Sequence, residues 1–190
     1  MPTQYTRRAM IKDTSCSFCG ARFEGVTGYP RTCANCHTTI WSNPIPVSVV
    51  LLPVRRGSRE GLLVIRRGIE PGKGRLALPG GFLEDHETWQ QGGVRELREE
   101  TGLTLAADAL QPFWFTSTAP RPNRVLLFGA SSVTLESVPA FQPTDETAER
   151  GVIFGPDDLA PHFAFDLHLE AARRWFAARK ITGPAHYEPA

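Results

Sequence analysis

From residue 44 onward, short apolar runs alternate with glycine- and proline-rich breaks. Residues 47–54 (VSVVLLPV) are β-branched and aliphatic almost throughout, the pattern of a buried strand. Residues 62–65 and 76–78 read as two further short strands, the second running into a Pro79-Gly80-Gly81 turn. Residues 113–116, 124–130 and 151–154 complete the strand set. Residues 88–101 place Val94, Leu97 and Thr101 on one helical face, with Gly102 as the stop. Residues 166–180 keep helical spacing through Leu167, Ala171, Arg174 and Trp175, which predicts a closing helix. Strands interleaved with two helices predict an α/β sandwich.

The texture differs before residue 44. Residues 1–10 read as a tail, and residues 11–43 are rich in Cys, Gly and Thr with too few apolar positions for a core. Asn43-Pro44-Ile45-Pro46 marks the junction, because proline disfavours helix in its predecessor. The expected organisation is a small module over 11–43, a main domain over 44–182 and a second tail over 183–190. A net charge of +1 over 190 residues gives no support for broad binding to nucleic acid or membrane. No apolar run approaches the roughly 20 residues needed to span a bilayer. The first twelve residues hold two arginines but no apolar stretch of the secretory kind, so a cytoplasmic location is expected.

All four cysteines fall between positions 16 and 36, as Cys16-x-x-Cys19 and Cys33-x-x-Cys36. Disulfides are rare in the cytosol, so a metal site is the better reading. Two such knuckles thirteen residues apart can set four thiolates tetrahedrally around Zn²⁺. Four thiolates leave no open position, which makes the expected zinc structural, with His37 outside the ligand set. Without metal the segment has little else to fold around. The pattern resembles a zinc ribbon.

The segment richest in chemistry is residues 81–103, GFLEDHETWQQGGVRELREETGL. Glu96, Glu99 and Glu100 stand at i, i+3 and i+4, so a helix puts them on one face. Clustered carboxylates repel, and a hard divalent cation such as Mg²⁺ relieves that repulsion. An isolated ELREE also suits a solvent-facing, salt-bridged helix. Gly92 and Gly93 sit inside the expected helix at a cost of about 1 kcal/mol each relative to Ala. Close packing on a sheet and a weak first turn are both open explanations.

In register, Gly81, Glu87, Arg95-Glu96, Leu97, Glu99-Glu100, Gly102 and Leu103 match the Nudix box at every specified position, so the segment resembles that of the Nudix hydrolase superfamily. The resemblance implies an α/β/α sandwich with a mixed sheet, and a loop–helix that carries Mg²⁺ or Mn²⁺. It implies Glu96, Glu99 and Glu100 as metal ligands together with the Gly81 carbonyl. Glu87 and Arg95 become bracing residues of the catalytic set, and Glu146 a further metal ligand or base, ahead of Glu149. A four-cysteine ribbon before such a domain is similar to the NADH pyrophosphatase subgroup. The Ser-Gln-Pro-Trp-Pro-Phe-Pro segment of those enzymes is not matched here, where residues 115–122 read FTSTAPRP.

The activity so implied is hydrolysis of a diphosphate in a dinucleotide or nucleoside-diphosphate derivative (NADH, FAD or ADP-ribose) to a nucleoside monophosphate. Two alternatives stand beside it: nucleotide sensing or nucleic-acid binding without turnover, and removal of a dinucleotide cap from RNA. The expected partner is a small-molecule nucleotide, with no membrane and no nucleic acid other than capped RNA, and with homodimerisation as in related enzymes. Arg66, Arg67, Arg75, Arg121 and Arg124 are candidate phosphate partners, since guanidinium binds phosphate bidentately. Trp114, within Phe113-Trp114-Phe115, is a candidate for stacking on a base. His162 and His168 read as surface or cap residues.

Overall fold

The computed structural model describes residues 14–25, 28–119 and 123–190, and the chain divides into two compact units, one ending at Asn43 and one starting at Pro44. In the first unit, strands β1 (Arg31–Thr32) and β2 (Thr39–Ile40) form a short antiparallel hairpin. The two Cys-x-x-Cys knuckles share one backbone design. The Gly20 N–H donates to Cys16 O at 2.9 Å, and the His37 N–H donates to Cys33 O at 2.9 Å. Both residues are left-handed, Gly20 at φ 73° and His37 at φ 58°. His37 therefore serves its knuckle through its backbone.

The second unit holds two sheets. The first runs β7 (Gly80–Phe82), β3 (Ile45–Leu51), β9 (Arg124–Ser131), β8 (Leu110–Ser117) and is mixed, because β3 and β9 are parallel. The second is antiparallel: β11 (His186–Pro189), β10 (Thr147–Phe154), β5 (Arg59–Arg67), β4 (Pro53–Arg56), with β6 (Leu76–Ala77) also pairing with β5. The run expected as one strand over 47–54 is thus two. The chain leaves the first sheet after Leu51 and joins the second at Pro53.

Apolar residues on both faces of β3 and β5 explain their unbroken hydrophobic runs. Val49, Leu51, Leu62 and Val64 enter one core cluster with Trp175 and Phe176 of helix α2 (Asp166–Ala178). Val50, Leu52 and Leu63 enter another with Leu97 of helix α1 (Trp89–Thr101). Helices on the two faces give the α/β/α sandwich.

Helix α1 starts at a capping box. Thr88 Oγ1 accepts the Gln91 N–H at 3.2 Å, and Gln91 Oε1 accepts the Thr88 N–H at 2.7 Å. It stops at Gly102, left-handed at φ 72°, whose N–H reaches Arg98 O. The two interior glycines answer to close packing. A Cβ on Gly93 would lie 2.7 Å from Ser48 Oγ and 3.0 Å from Leu110 Cδ1, and one on Gly92 would overlap Leu83.

Three expectations are corrected here. Residues 183–190 are not all tail, because β11 pairs along β10 from Gly151 to Phe154. Arg174 lies off the buried face of α2, half-exposed and bonded to Glu170 at 2.8 Å. His168 is a buried residue, only 8% exposed, rather than a surface or cap residue. Among the described residues, no helix is long and apolar enough to cross a membrane.

Candidate active site and zinc centre

Strand β7 and helix α1 meet so that backbone faces carboxylate. Glu100, 8% exposed, accepts the Gly80 N–H at 2.8 Å. A Cβ on Gly81 would overlap the Glu96 carboxylate, so glycine there is what allows strand and side chain to touch. Glu99 lies on the same helix face but is half-exposed. Glu146, exposed in the segment before β10, is close enough for its charge to raise the pKa of both Glu96 and Glu100. Its carbonyl accepts the Gly68 N–H at 2.7 Å, which pins that segment to the end of β5.

Arg95 ties these parts together. It donates to both oxygens of Glu87, to Glu96 at 2.9 Å, to Glu99 at 3.2 Å and to the Phe82 carbonyl at 2.9 Å. Arg95 draws the Glu87 carboxyl down to about 2. Burial acts oppositely on the other two, raising Glu96 and pushing Glu100 up to about 8. Carboxylates held so close, two of them largely desolvated, are poorly compensated by protein charge alone. Their oxygen donors fit a hard divalent cation.

Beside this cluster opens a cleft of about 810 Å³, bounded by β6, β7, β9 and the start of α2. Glu100 lines it, as do Arg67, Arg124, Phe82, Phe165 and His168. The Arg67 guanidinium lies 4.9 Å from the Phe165 ring centroid, and its Nε donates to Pro71 O at 2.7 Å. Among the described residues its Nη atoms have no hydrogen-bond partner, and its charge lowers the pKa of Glu100. Arg124 lies 5.3 Å from the Phe82 ring, and Phe82 is 51% exposed.

Of the substrate contacts expected from sequence, Arg124 is at the cleft. Arg75 is not: its guanidinium turns to Ala160 O at 3.3 Å. Trp114 is not either, since it stacks on Phe128 at 5.1 Å and packs against the core beneath Arg174. A bulge between Pro112 and Trp114 turns Phe113 and Trp114 both inward and leaves Phe115 75% exposed. Arg66 is engaged by Glu149 at 2.8 Å, and Tyr187 donates to the same carboxylate at 2.7 Å. Arg121 lies outside the described residues. Sequence reasoning did not single out Phe82 or Phe165, which carry no local motif; it read His168 as a surface or cap residue and weighed Arg67 only as one arginine among several.

In the first unit, the four cysteine Sγ atoms lie within 4.8 Å of one another. Cys16 and Cys36 are 3.7 Å apart, as are Cys19 and Cys33. Disulfide sulfurs sit at about 2.05 Å. A tetrahedron with Zn–S near 2.3 Å has edges of about 3.8 Å, and the cage fits Zn²⁺ on that count. The Thr38 hydroxyl and N–H lower Cys36 to about 6, and the Ala21 N–H and Asn35 amide lower Cys19, which favours the thiolate at those two, while burial pushes Cys16 up to about 11, a buried thiol that a cation would have to ionise. His37 is exposed and outside the cage.

Comparisons with known proteins bear on the family and the fold. A family model described as NUDIX domain matches residues 44–178. An ADP-ribose pyrophosphatase of Methanocaldococcus jannaschii is 55% identical over 42 residues, 22% of this chain and 25% of that protein. The U8 snoRNA-decapping enzyme of Mus musculus is 38% identical over 72 residues, 36% of this chain and 37% of that one. The chain therefore spans well under half the length of either curated relative it matches. The crystal structure of a NUDIX hydrolase from Nitrosomonas europaea aligns with a TM-score of 0.67 at 24% identity, covering 88% of this chain and 92% of that one, a likeness of fold.

Proposed function

The chain belongs to the Nudix family, and from that premise we propose that it hydrolyses the diphosphate of a nucleoside-diphosphate derivative of the ADP-ribose type, releasing a nucleoside monophosphate. One observation carries the reading: Glu96, Glu99, Glu100 and Glu146 gather beside a cleft of nucleotide size whose lining includes Arg67, with no hydrogen-bond partner at its Nη atoms among the described residues. The short stretch shared with an ADP-ribose pyrophosphatase supports the substrate class.

Glu96, Glu99, Glu100 and the carbonyl of Gly81 would hold Mg²⁺ or Mn²⁺. Such an ion supplies charge neutralisation on the diphosphate and acidifies bound water. The chain's own residues do the rest. Gly80 fixes Glu100 through its N–H, and Arg95 fixes the rotamers of Glu87 and Glu96. The Nη atoms of Arg67 reach a non-bridging phosphate oxygen. Glu146, free of Arg95, takes the proton of the attacking water as its oxygen bonds to phosphorus and the P–O–P bridge breaks. Zn²⁺ held by the four cysteines would be structural, since four thiolates leave no open position.

The test is incubation of the zinc-loaded chain with ADP-ribose, NADH and FAD in Mg²⁺ or Mn²⁺, with identification of products. AMP plus ribose 5-phosphate from ADP-ribose is the expected result. Wild-type rates in both E99Q and E100Q would refute the metal-binding role. The stretch shared with a U8 snoRNA-decapping enzyme supports a second reading, turnover of capped RNA, within which a dinucleotide cap is the form the first reading would suit. Capped RNA cleaved at far lower concentration than free dinucleotide would establish it.

A further inference from the structure

The cleft contains a polar group that the carboxylate chemistry does not use. His168, in the first turn of α2, lines the cleft while only 8% exposed. Its Nδ1 accepts the Leu78 N–H at 3.2 Å. A nitrogen that accepts carries no proton, so the neutral ring carries its proton on Nε2. Burial, and secondarily the charge of Arg67, keeps the ring neutral by lowering its pKa to about 3. Among the described residues no hydrogen-bond acceptor meets Nε2. Nor is this nitrogen fully enclosed as the indole N–H of Trp175 is, and the residue that carries it lines the cleft.

The surroundings select what such a donor meets. The Phe165 ring lies 5.1 Å from the imidazole, and Leu78, Leu126 and Leu167 line the same cleft. An uncharged N–H is a weak partner for phosphate beside the Arg67 guanidinium, which lies 4.9 Å from the same Phe165 ring and suits that charge better. It suits a planar heterocycle with an in-plane lone pair, whose face can lie against an aromatic ring. The backbone segment that holds His168 through Leu78 also holds Glu100 through Gly80, two residues on. Those two anchor points are no more than about 7 Å apart, within the reach of one ligand.

We infer that the Nε2–H of His168 is a specificity-determining donor to a ring nitrogen or carbonyl of the substrate's nucleobase, beside the Phe165 ring that carries the Arg67 guanidinium. The inference rests on the reading of this cleft as the nucleotide site.

The test is ¹⁵N-resolved NMR of the imidazoles in the full zinc-loaded chain with Mg²⁺, titrated with AMP and separately with ribose 5-phosphate. His168 should show the Nε2–H tautomer, and its Nε2 resonance should move with AMP and stay with ribose 5-phosphate. An Nδ1–H tautomer, or an unmoved Nε2 while other cleft resonances shift with AMP, would overturn the inference and leave the site reading intact. No shift in any cleft residue with either probe would overturn both. H168N keeps an acceptor for Leu78 and loses the Nε2 donor. It should raise KM for ADP-ribose about five- to tenfold, the worth of one hydrogen bond, with kcat within about twofold. An unchanged KM in a folded H168N chain would count against the inference.

Discussion

Arg95 holds Glu87 in a fork, Nη2 to Oε1 at 2.8 Å and Nε to Oε2 at 3.1 Å. The same Glu87 Oε1 accepts the Glu84 N–H at 2.9 Å, so the fork fastens the loop between β7 and α1 as well as the helix. Lysine offers a point charge in place of a planar fork. R95K is therefore expected to lower kcat by about 10- to 100-fold, the range for losing hydrogen bonds to charged groups. The Mg²⁺ concentration for half-maximal rate should rise. Wild-type kinetics in R95K would show that the bracing is dispensable.

Glu100 gives a pH signature without metal. Its folded pKa of about 8 stands above the ordinary 4.5, so the folded state binds more protons between those values. Its contribution to stability is full below pH 4.5 and is lost as pH rises through 8. E100Q removes that loss. In buffer free of Mg²⁺ and Mn²⁺ the variant should be more stable than wild type at pH 8–9 by on the order of a few kcal/mol. Urea midpoints across pH would read it, and equal midpoints at pH 9 would contradict the burial argument. The same variant should lose nearly all turnover.

His168 acts in the opposite direction. Its folded pKa of about 3 lies below the ordinary 6.5, so the unfolded chain binds the extra proton in that window. Stability should be full above pH 6.5 and fall as the solution is acidified. H168N lacks this titration, and its stability should decline less than that of wild type between pH 6.5 and 4.5. Parallel curves would mean that the imidazole is solvated.

Gly93 sets two effects against each other. Alanine gains about 1 kcal/mol of helix propensity, but its Cβ would press on Ser48 and Leu110. Overpacking costs about 1–3 kcal/mol, so G93A should be net destabilised in chemical denaturation. A higher denaturation midpoint would show that α1 has room to move off β3.

Removal of zinc with a strong chelator should erase the dispersed amide signals of residues 14–25 and 28–43, and restoring Zn²⁺ should return them. Outside the cage, the described part of that unit is ordered by a short hairpin, the knuckle turns, a Ser15–Arg22 bridge and Arg31 over Phe23 and Tyr29, with little apolar core. Dispersion that survived full zinc loss would place the stability elsewhere.

What the sequence made legible was local. Helical periodicity alone puts Glu96, Glu99 and Glu100 on one face, and two Cys-x-x-Cys knuckles announce their own cage. Long-range features were hidden. His168 is buried because it pairs with Leu78, ninety positions away, and the sequence around it carries no sign of that. Trp114 turns inward through a bulge that no alternation rule anticipates. β7 hid in a glycine turn and β11 in an apparent tail, since each is defined by the partner strand it borrows. Arg67 ends β5 and lines the cleft while Arg75 lies in the bend before β6 and turns to Ala160, a difference that only the assembled sheets decide.

The passage of one polypeptide from the first sheet into the second at Leu52 has a bearing on how this scaffold adapts. Two sheets stitched by a single continuous run cannot readily slide or hinge apart, so the gap between them is nearly fixed in width. New ligand preferences would then arise by exchanging the side chains that project into the cleft from β9 and the start of α2, while Glu100 and the acidic helix at its edge are left undisturbed.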